Sequence, residues 1–168
     1  AWVANLASWG VFVRDPKAQV GARSEQPLVG SELSLSVARR IGILTGGGDV
    51  PGLNSVINVV DYRATENDCE VLGIRRGWEG LTHLDYESEE SREKYLLPLD
   101  RANTRTIDRF GGTILHSSRV SPTQMRSLPE FLVGGTFPKS DAGWDVSSHV
   151  LKNIEHLRLD NLIVIGGD

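Results

Sequence analysis

The chain has 168 residues, 39% apolar and 24% charged, and its 18 Lys and Arg against 22 Asp and Glu give a net charge of −4. That length allows one ordinary domain, and the composition is globular rather than disordered or fibrous. The acidic balance argues against a general nucleic-acid binder, and a single cysteine excludes an internal disulfide and a Cys-based zinc site. No run reaches the ~18 apolar residues of a membrane-spanning helix.

Residues 1–39 hold no sustained periodicity, and Pro16, Gly21, Pro27 and Gly30 punctuate them, so they read as a linker or extension. The uncharged run Ala1–Val13 lacks the basic start of a signal peptide. Trp2, Trp9 and Phe12 within it suggest packing rather than a cofactor site. A chain that opens on Ala1 and holds only Met125 is expected to be a piece of a longer protein.

Order is expected from Arg40. Ile41–Thr45 is short, apolar and β-branched with glycines after it, and so reads as a buried strand. Leu53, Val56, Ile57, Val60 and Ala64 recur at helical spacing to about Glu66, with Asp49 and Pro51 as suitable start residues. Glu70–Ile74 supplies a second strand, which completes a βαβ unit with a parallel sheet. Cys69 beside it reads as a small buried hydrophobe in a reducing compartment. The charged stretch Tyr86–Lys94 reads as a solvated loop or hairpin. A short helix is expected over Ala102–Phe110, then Gly111-Gly112 and a third strand at Thr113–Leu115. Pro122–Asp145 is loop-rich. A helix follows over Val146–Leu157, with Val150, Leu151, Ile154 and Leu157 on one face, and the chain closes on the strand Asn161–Ile165 followed by Gly166-Gly167-Asp168. A sequence that stops at the tip of a central strand is expected to be truncated and inactive alone.

Three segments carry chemistry. Thr45 to Asn54 holds Gly46-Gly47-Gly48 between a strand and a helix, where backbone N–H groups can face a phosphate with the helix dipole behind them. No Gly-Lys-Ser/Thr follows, and Pro51 stands where a dinucleotide loop needs its third glycine. Gly111 to Arg119 ends in hydroxyls and an arginine, whose guanidinium pairs bidentately with phosphate oxygens. Gly166-Gly167-Asp168 offers an acid that suits a helix cap or a Mg²⁺ shell completed by phosphates. All three are expected at the carboxyl ends of parallel strands, where open α/β sheets bind ligands. Together they supply what phosphoryl transfer needs, namely positioning and charge neutralisation. Arg75 and Arg76 after the second strand also suit the 2′-phosphate of an NADP-dependent oxidoreductase, and a non-catalytic phosphate-binding module is a third possibility. His83, His149 and His156 read as surface or helix-face residues, whereas His116 is a candidate to line the cleft.

Taken in order, Ile41 to Asn54, Gly77-Trp78-Glu79-Gly80-Leu81, Gly111 to Arg119 and Ile165 to Asp168 resemble the phosphofructokinase family. The resemblance covers residues 40–168. It implies an α/β fold, a three-layer Rossmann-like parallel sheet with helices on both faces, of which this is the incomplete N-terminal part. The implied enzyme phosphorylates fructose 6-phosphate with ATP or pyrophosphate and Mg²⁺, is cytoplasmic and forms a homo-oligomer, with no nucleic-acid or membrane partner. Gly48 then matches the glycine whose N–H meets the transferred phosphoryl group, and Arg119 the arginine that bridges donor phosphates, with Val120 beside it. Trp78 stands where a tyrosine often lies near the nucleotide. Gly47, Gly166 and Gly167 belong to the donor loops, and Asp168 matches the Mg²⁺-associated acid. The general base and the sugar-phosphate residues lie further on in the family. Gly46 replaces a serine of the commonest bacterial form, and with Leu115 to Arg119 it looks slightly more like pyrophosphate users. The position after Asp168, glycine in ATP users and aspartate in pyrophosphate users, decides the donor. Asn58 and Tyr62 stand where allosteric members carry effector-binding arginines, so little response to ADP or phosphoenolpyruvate is expected.

Overall fold

The structure is a computed structural model that describes residues 11–13, 39–48 and 50–166. Gly167 and Asp168, Asp49, Trp2 and Trp9 lie outside the described residues. Strands β1 (Val11–Val13), β2 (Arg39–Gly46), β3 (Cys69–Ile74), β4 (Leu96–Leu99) and β7 (Asn161–Gly166) form one sheet in the order β1-β7-β2-β3-β4. A separate two-stranded hairpin pairs β5 (Lys139–Ser140) with β6 (Gly143–Trp144). The helices are α1 (Leu53–Glu66), α2 (Trp78–Thr82), α3 (Glu89–Tyr95), α4 (Arg101–Thr104) and α5 (Ser147–His156). Among the described residues no helix is long and apolar enough to cross a membrane.

The central strands β7, β2 and β3 are parallel, as the βαβ reading requires. The sheet as a whole is mixed rather than parallel, because β1 and β4 join its edges antiparallel. Pro98 hides β4 in the sequence, since a proline cannot donate to a ladder and is tolerated on an edge strand. One face of the sheet packs Leu44, Ile74 and Leu162 against α2 and α5 through Leu81, Val150, Ile154 and Leu157. The other packs Ile43 and Val71 against Ile57 and Ala64 of α1, with Ile107 and Leu115. These are the expected three layers.

Several local expectations fail for physical reasons. Tyr86–Lys94 contains α3, not a solvated loop. Ser88 caps it by accepting from Ser91 N at 3.2 Å, with Glu89 and Glu90 in the first turn and Arg92 and Lys94 in the last, which matches the helix dipole. The expected helix over Ala102–Phe110 is split into α4 and a 3₁₀ turn at Ile107–Arg109. A reciprocal Asp100–Asn103 capping box starts α4, and the break lets Ile107 turn into the core. On α1 the cap is Gly52, with φ 98°, rather than Asp49 or Pro51, and Val56 is exposed while Asn54 and Asp61 are buried. Cys69 is half-buried and free, its Sγ 3.3 Å from Asn67 O.

On α5, Leu151 faces solvent, and Asn153 takes the buried position because its Nδ2 donates to Leu81 O (3.0 Å) and Leu84 O (2.9 Å). His149, one turn earlier, sits half-buried with Nε2 3.0 Å from Leu84 O. Burial holds its pKa below the ordinary imidazole value, and Lys152 and His156 push the same way against the Leu84 carbonyl and Asp85. A histidine whose folded pKa is lowered gives stability that is complete above the unfolded value of about 6.5 and is lost as pH falls toward the folded one. The urea midpoint should therefore fall between pH 7.5 and 5.5, and His149→Gln should flatten that fall. An unchanged slope in the variant would contradict this.

Candidate functional site

The carboxyl ends of β7, β2 and β3 open onto one edge of the sheet. β2 runs out into Gly46-Gly47-Gly48, where Gly47 has φ 75° and Gly48 is exposed. β7 ends at Gly166 beside Gly46, and a Cβ on Gly166 would collide with the Gly46 carbonyl. Only glycine lets these two backbones meet there.

Thr113–Leu115 is not a strand. His116 N donates to Thr113 O at 3.2 Å in a turn, and His116 itself has φ 57°. The loop's polar groups are met by side chains and neighbouring turns instead of a ladder. Asn54, buried at the start of α1, donates to Phe110 O (3.0 Å) and accepts from Ile114 N (2.8 Å). Thr45 Oγ1, fully buried at the end of β2, donates to His116 O at 2.8 Å and lies 3.0 Å from Thr113 Oγ1. Gly47 N donates to Ser118 O (3.1 Å), Arg76 N to Leu115 O (2.7 Å), and Ser118 Oγ to Arg76 O (2.6 Å). Leu115 locks the loop down by filling the space above Gly73, where a Cβ would lie 2.5 Å from its Cδ2. The loop thus reaches the same sheet edge as the glycine turn without being part of the sheet.

Arg119 follows and is exposed on a cavity of about 710 Å³. Val120, Glu79, His83, Gln124, Met125 and Arg126 share its lining. Glu79 pairs with Arg76 at 3.2 Å, whereas no ion pair among the described residues involves Arg119 or Arg126. Trp78 is half-buried against the Leu44–Leu81 core rather than in that lining, and His116 is exposed outside it. His83, expected as a bland surface residue, is in it. Among the described residues no three His, Cys, Asp or Glu cluster to hold a metal.

Sequence reasoning included Thr45 and Asn54 as the ends of the glycine segment but gave neither a role, because their hydrogen bonds reach a loop some sixty to seventy residues away. It missed Gln124, Met125 and Arg126, which come from a stretch with no periodicity. Asn58 and Tyr62 on α1 face α4. Asn58 Nδ2 donates to Thr104 O at 2.7 Å, and the Arg101 guanidinium stacks over the Tyr62 ring.

The chain is similar to known proteins over most of its length. Residues 40–168 match the family described as Phosphofructokinase. The "ATP-dependent 6-phosphofructokinase 3" of Streptomyces coelicolor is 40% identical over 130 residues, 77% of this chain and 30% of that protein. The "Pyrophosphate--fructose 6-phosphate 1-phosphotransferase" of Dictyoglomus thermophilum is 39% identical over 129 residues, 77% of this chain and 29% of that protein. The chain therefore spans about 30% of the length of these relatives. The crystal structure of Pichia pastoris phosphofructokinase in the T-state superposes with a TM-score of 0.59 at 26% identity, covering 88% of this chain and 14% of that one. Such a match, running from the start of β2 through the glycine turn and the arginine loop to the end of the chain, means that this chain belongs to the phosphofructokinase family.

Proposed function

We propose that this chain is the donor-binding part of a 6-phosphofructokinase, which moves a phosphoryl group from ATP or pyrophosphate to fructose 6-phosphate and yields fructose 1,6-bisphosphate in glycolysis. The observation that carries this reading is the meeting of the glycine turn, the Arg119 loop and Gly166 at one sheet edge, joined by the Gly47–Ser118 and Thr45–His116 hydrogen bonds. In the transfer, the sugar hydroxyl oxygen bonds to the terminal phosphorus, the bond from that phosphorus to the donor's bridging oxygen breaks, and the hydroxyl proton passes to a base supplied further along the family's fold. Little covalent work falls to this part, so its task is to hold and neutralise phosphates.

Gly48 gives its N–H to the transferred group at the positive end of α1, whose first turn carries no acidic residue to oppose an anion. Gly47, its own N–H given to Ser118, shapes the turn. Arg119 bridges the donor phosphates with Val120 beside it on the same cavity, and Gly166 and Gly167 belong to the donor loops; Trp78, packed on the core outside that cavity, is assigned near the nucleotide by the resemblance alone. Mg²⁺ suits a single carboxylate with phosphates completing its shell, so Asp168 suffices as its protein ligand without a cluster. When bound, the ion neutralises charge on the phosphates. The full-length enzyme is read as a cytoplasmic homo-oligomer.

The test uses protein extended to the length of its relatives. Asp168→Ala should lower kcat on the order of 10²-fold or more while the KM for fructose 6-phosphate changes little, since charge neutralisation matters most in the transition state. A wild-type kcat in that variant would refute the role.

A further inference from the structure

Ser118, one residue before Arg119, stands where three segments of the chain meet. Its carbonyl accepts from Gly47 N at 3.1 Å, which ties it to the glycine turn. Its hydroxyl donates to Arg76 O at 2.6 Å and lies 3.4 Å from Glu79 N, which ties it to the turn between β3 and α2. That turn is itself fixed. Arg76 N donates to Leu115 O at 2.7 Å, and Arg76 O also accepts from Glu79 N at 3.1 Å. Gly77 presses on the end of β2, where a Cβ would lie 2.6 Å from Thr45 O. Arg76 meanwhile holds a left-handed φ of 60°, a conformation uncommon for a residue with a side chain.

The two bonds of Ser118 have different effects. Its carbonyl and the Arg119 N–H share one planar peptide, so the bond from Gly47 orients the plane from which Arg119 departs. That bond alone leaves the plane free to swing about the Ser118 backbone. The hydroxyl removes this freedom, because it ties Ser118 to a fixed turn through a second contact. Arg119 has no anchor of its own, since its side chain is exposed and no ion pair among the described residues involves it. The place of its guanidinium relative to the Gly48 N–H is therefore set through Ser118. Such placement matters, because a shift of about 1 Å can cost on the order of 10²-fold in rate.

We propose that Ser118 is a positioning residue for phosphoryl transfer, whose hydroxyl, held by Arg76 O, sets the reach of Arg119 over the glycine turn. Its proton is committed to Arg76 O, so it acts through Arg119 and not on the donor itself. This rests on the phosphoryl-transfer reading.

Steady-state kinetics of the extended protein test it, with Mg²⁺, fructose 6-phosphate and either ATP or pyrophosphate, beside urea titrations. Ser118→Ala should lower kcat about 10- to 100-fold with whichever donor the wild type uses. The KM for fructose 6-phosphate and the urea midpoint should move little, since Arg76 O keeps its bond from Glu79 N. Ser118→Thr keeps the hydroxyl and should retain most of the rate, while Ser118→Cys, whose thiol donates weakly, should fall between. In an Arg119→Ala background Ser118→Ala should cost less than about twofold, because residues that act through one group are not additive. A wild-type kcat in Ser118→Ala, or its full loss repeated in the Arg119→Ala background, would overturn the proposal while leaving phosphoryl transfer in place. If Ser118→Ala does not fold, the same comparison in Ser118→Cys decides by the same criterion. No transfer by the extended wild-type protein from either donor would instead overturn the phosphoryl-transfer reading and this proposal with it.

Discussion

Arg119→Ala is expected to slow phosphoryl transfer on the order of 10³-fold in protein extended to its relatives' length, the range in which a transition-state arginine acts. The effect should fall on kcat more than on the KM for fructose 6-phosphate, because charge on the transferred group is greatest in the transition state. Arg119→Lys should recover only part of the loss, since an ammonium point charge cannot reproduce the planar fork that spans two phosphate oxygens. The side chain is exposed and takes no ion pair among the described residues, so its removal should leave the unfolding midpoint unchanged. Steady-state kinetics with both donors, beside a urea titration, check this. A wild-type rate in the alanine variant would end the assignment.

The second large effect is structural. Asn54→Ala should destabilise the chain by about 3 kcal/mol, because it strips partners from two backbone groups near a buried site, at roughly 1–3 kcal/mol each. The loss should also loosen the loop that carries Arg119, since Asn54 ties Phe110 and Ile114 to the start of α1. Asn54→Asp keeps the acceptor for Ile114 N but sets an oxygen against Phe110 O, so it should rescue little. Faster amide exchange over residues 110–119 than in the wild type is the accompanying signature. A midpoint within experimental error of the wild type in Asn54→Ala would contradict the role.

The elements legible in the sequence are those whose side chains are sorted by burial. β2, α1, β3, α5 and β7 all stand within a residue or two of their expected spans, because an apolar run or a 3.6-residue period reports directly on a buried face. Where another force dominates, the pattern misleads. Pro98 masks an edge strand, the charges of α3 stabilise a helix through its dipole rather than solvating a loop, and Thr113–Leu115 has strand-like residues whose hydrogen bonds go to Asn54, Thr45 and Arg76 instead of to a ladder. The glycine turn is legible because a glycine cluster straight after an apolar run marks the exit from a strand, whereas the Arg119 loop reaches the same sheet edge without the strand its residues suggest. The order of the segment 121–145 is not legible, since it comes from backbone hydrogen bonds such as Met125 with Trp144 and Val146 with Pro122, between residues about twenty apart, and no local pattern records them.

The central claim is phosphoryl transfer to a sugar phosphate, and it is tested most directly by phosphorus NMR of the extended protein with fructose 6-phosphate, Mg²⁺ and either donor. The account predicts a new resonance from fructose 1,6-bisphosphate that grows as the donor is consumed, and that is lost when fructose 6-phosphate is left out. Donor that persists unchanged beside fructose 6-phosphate, with folded protein and both donors tried, would contradict it.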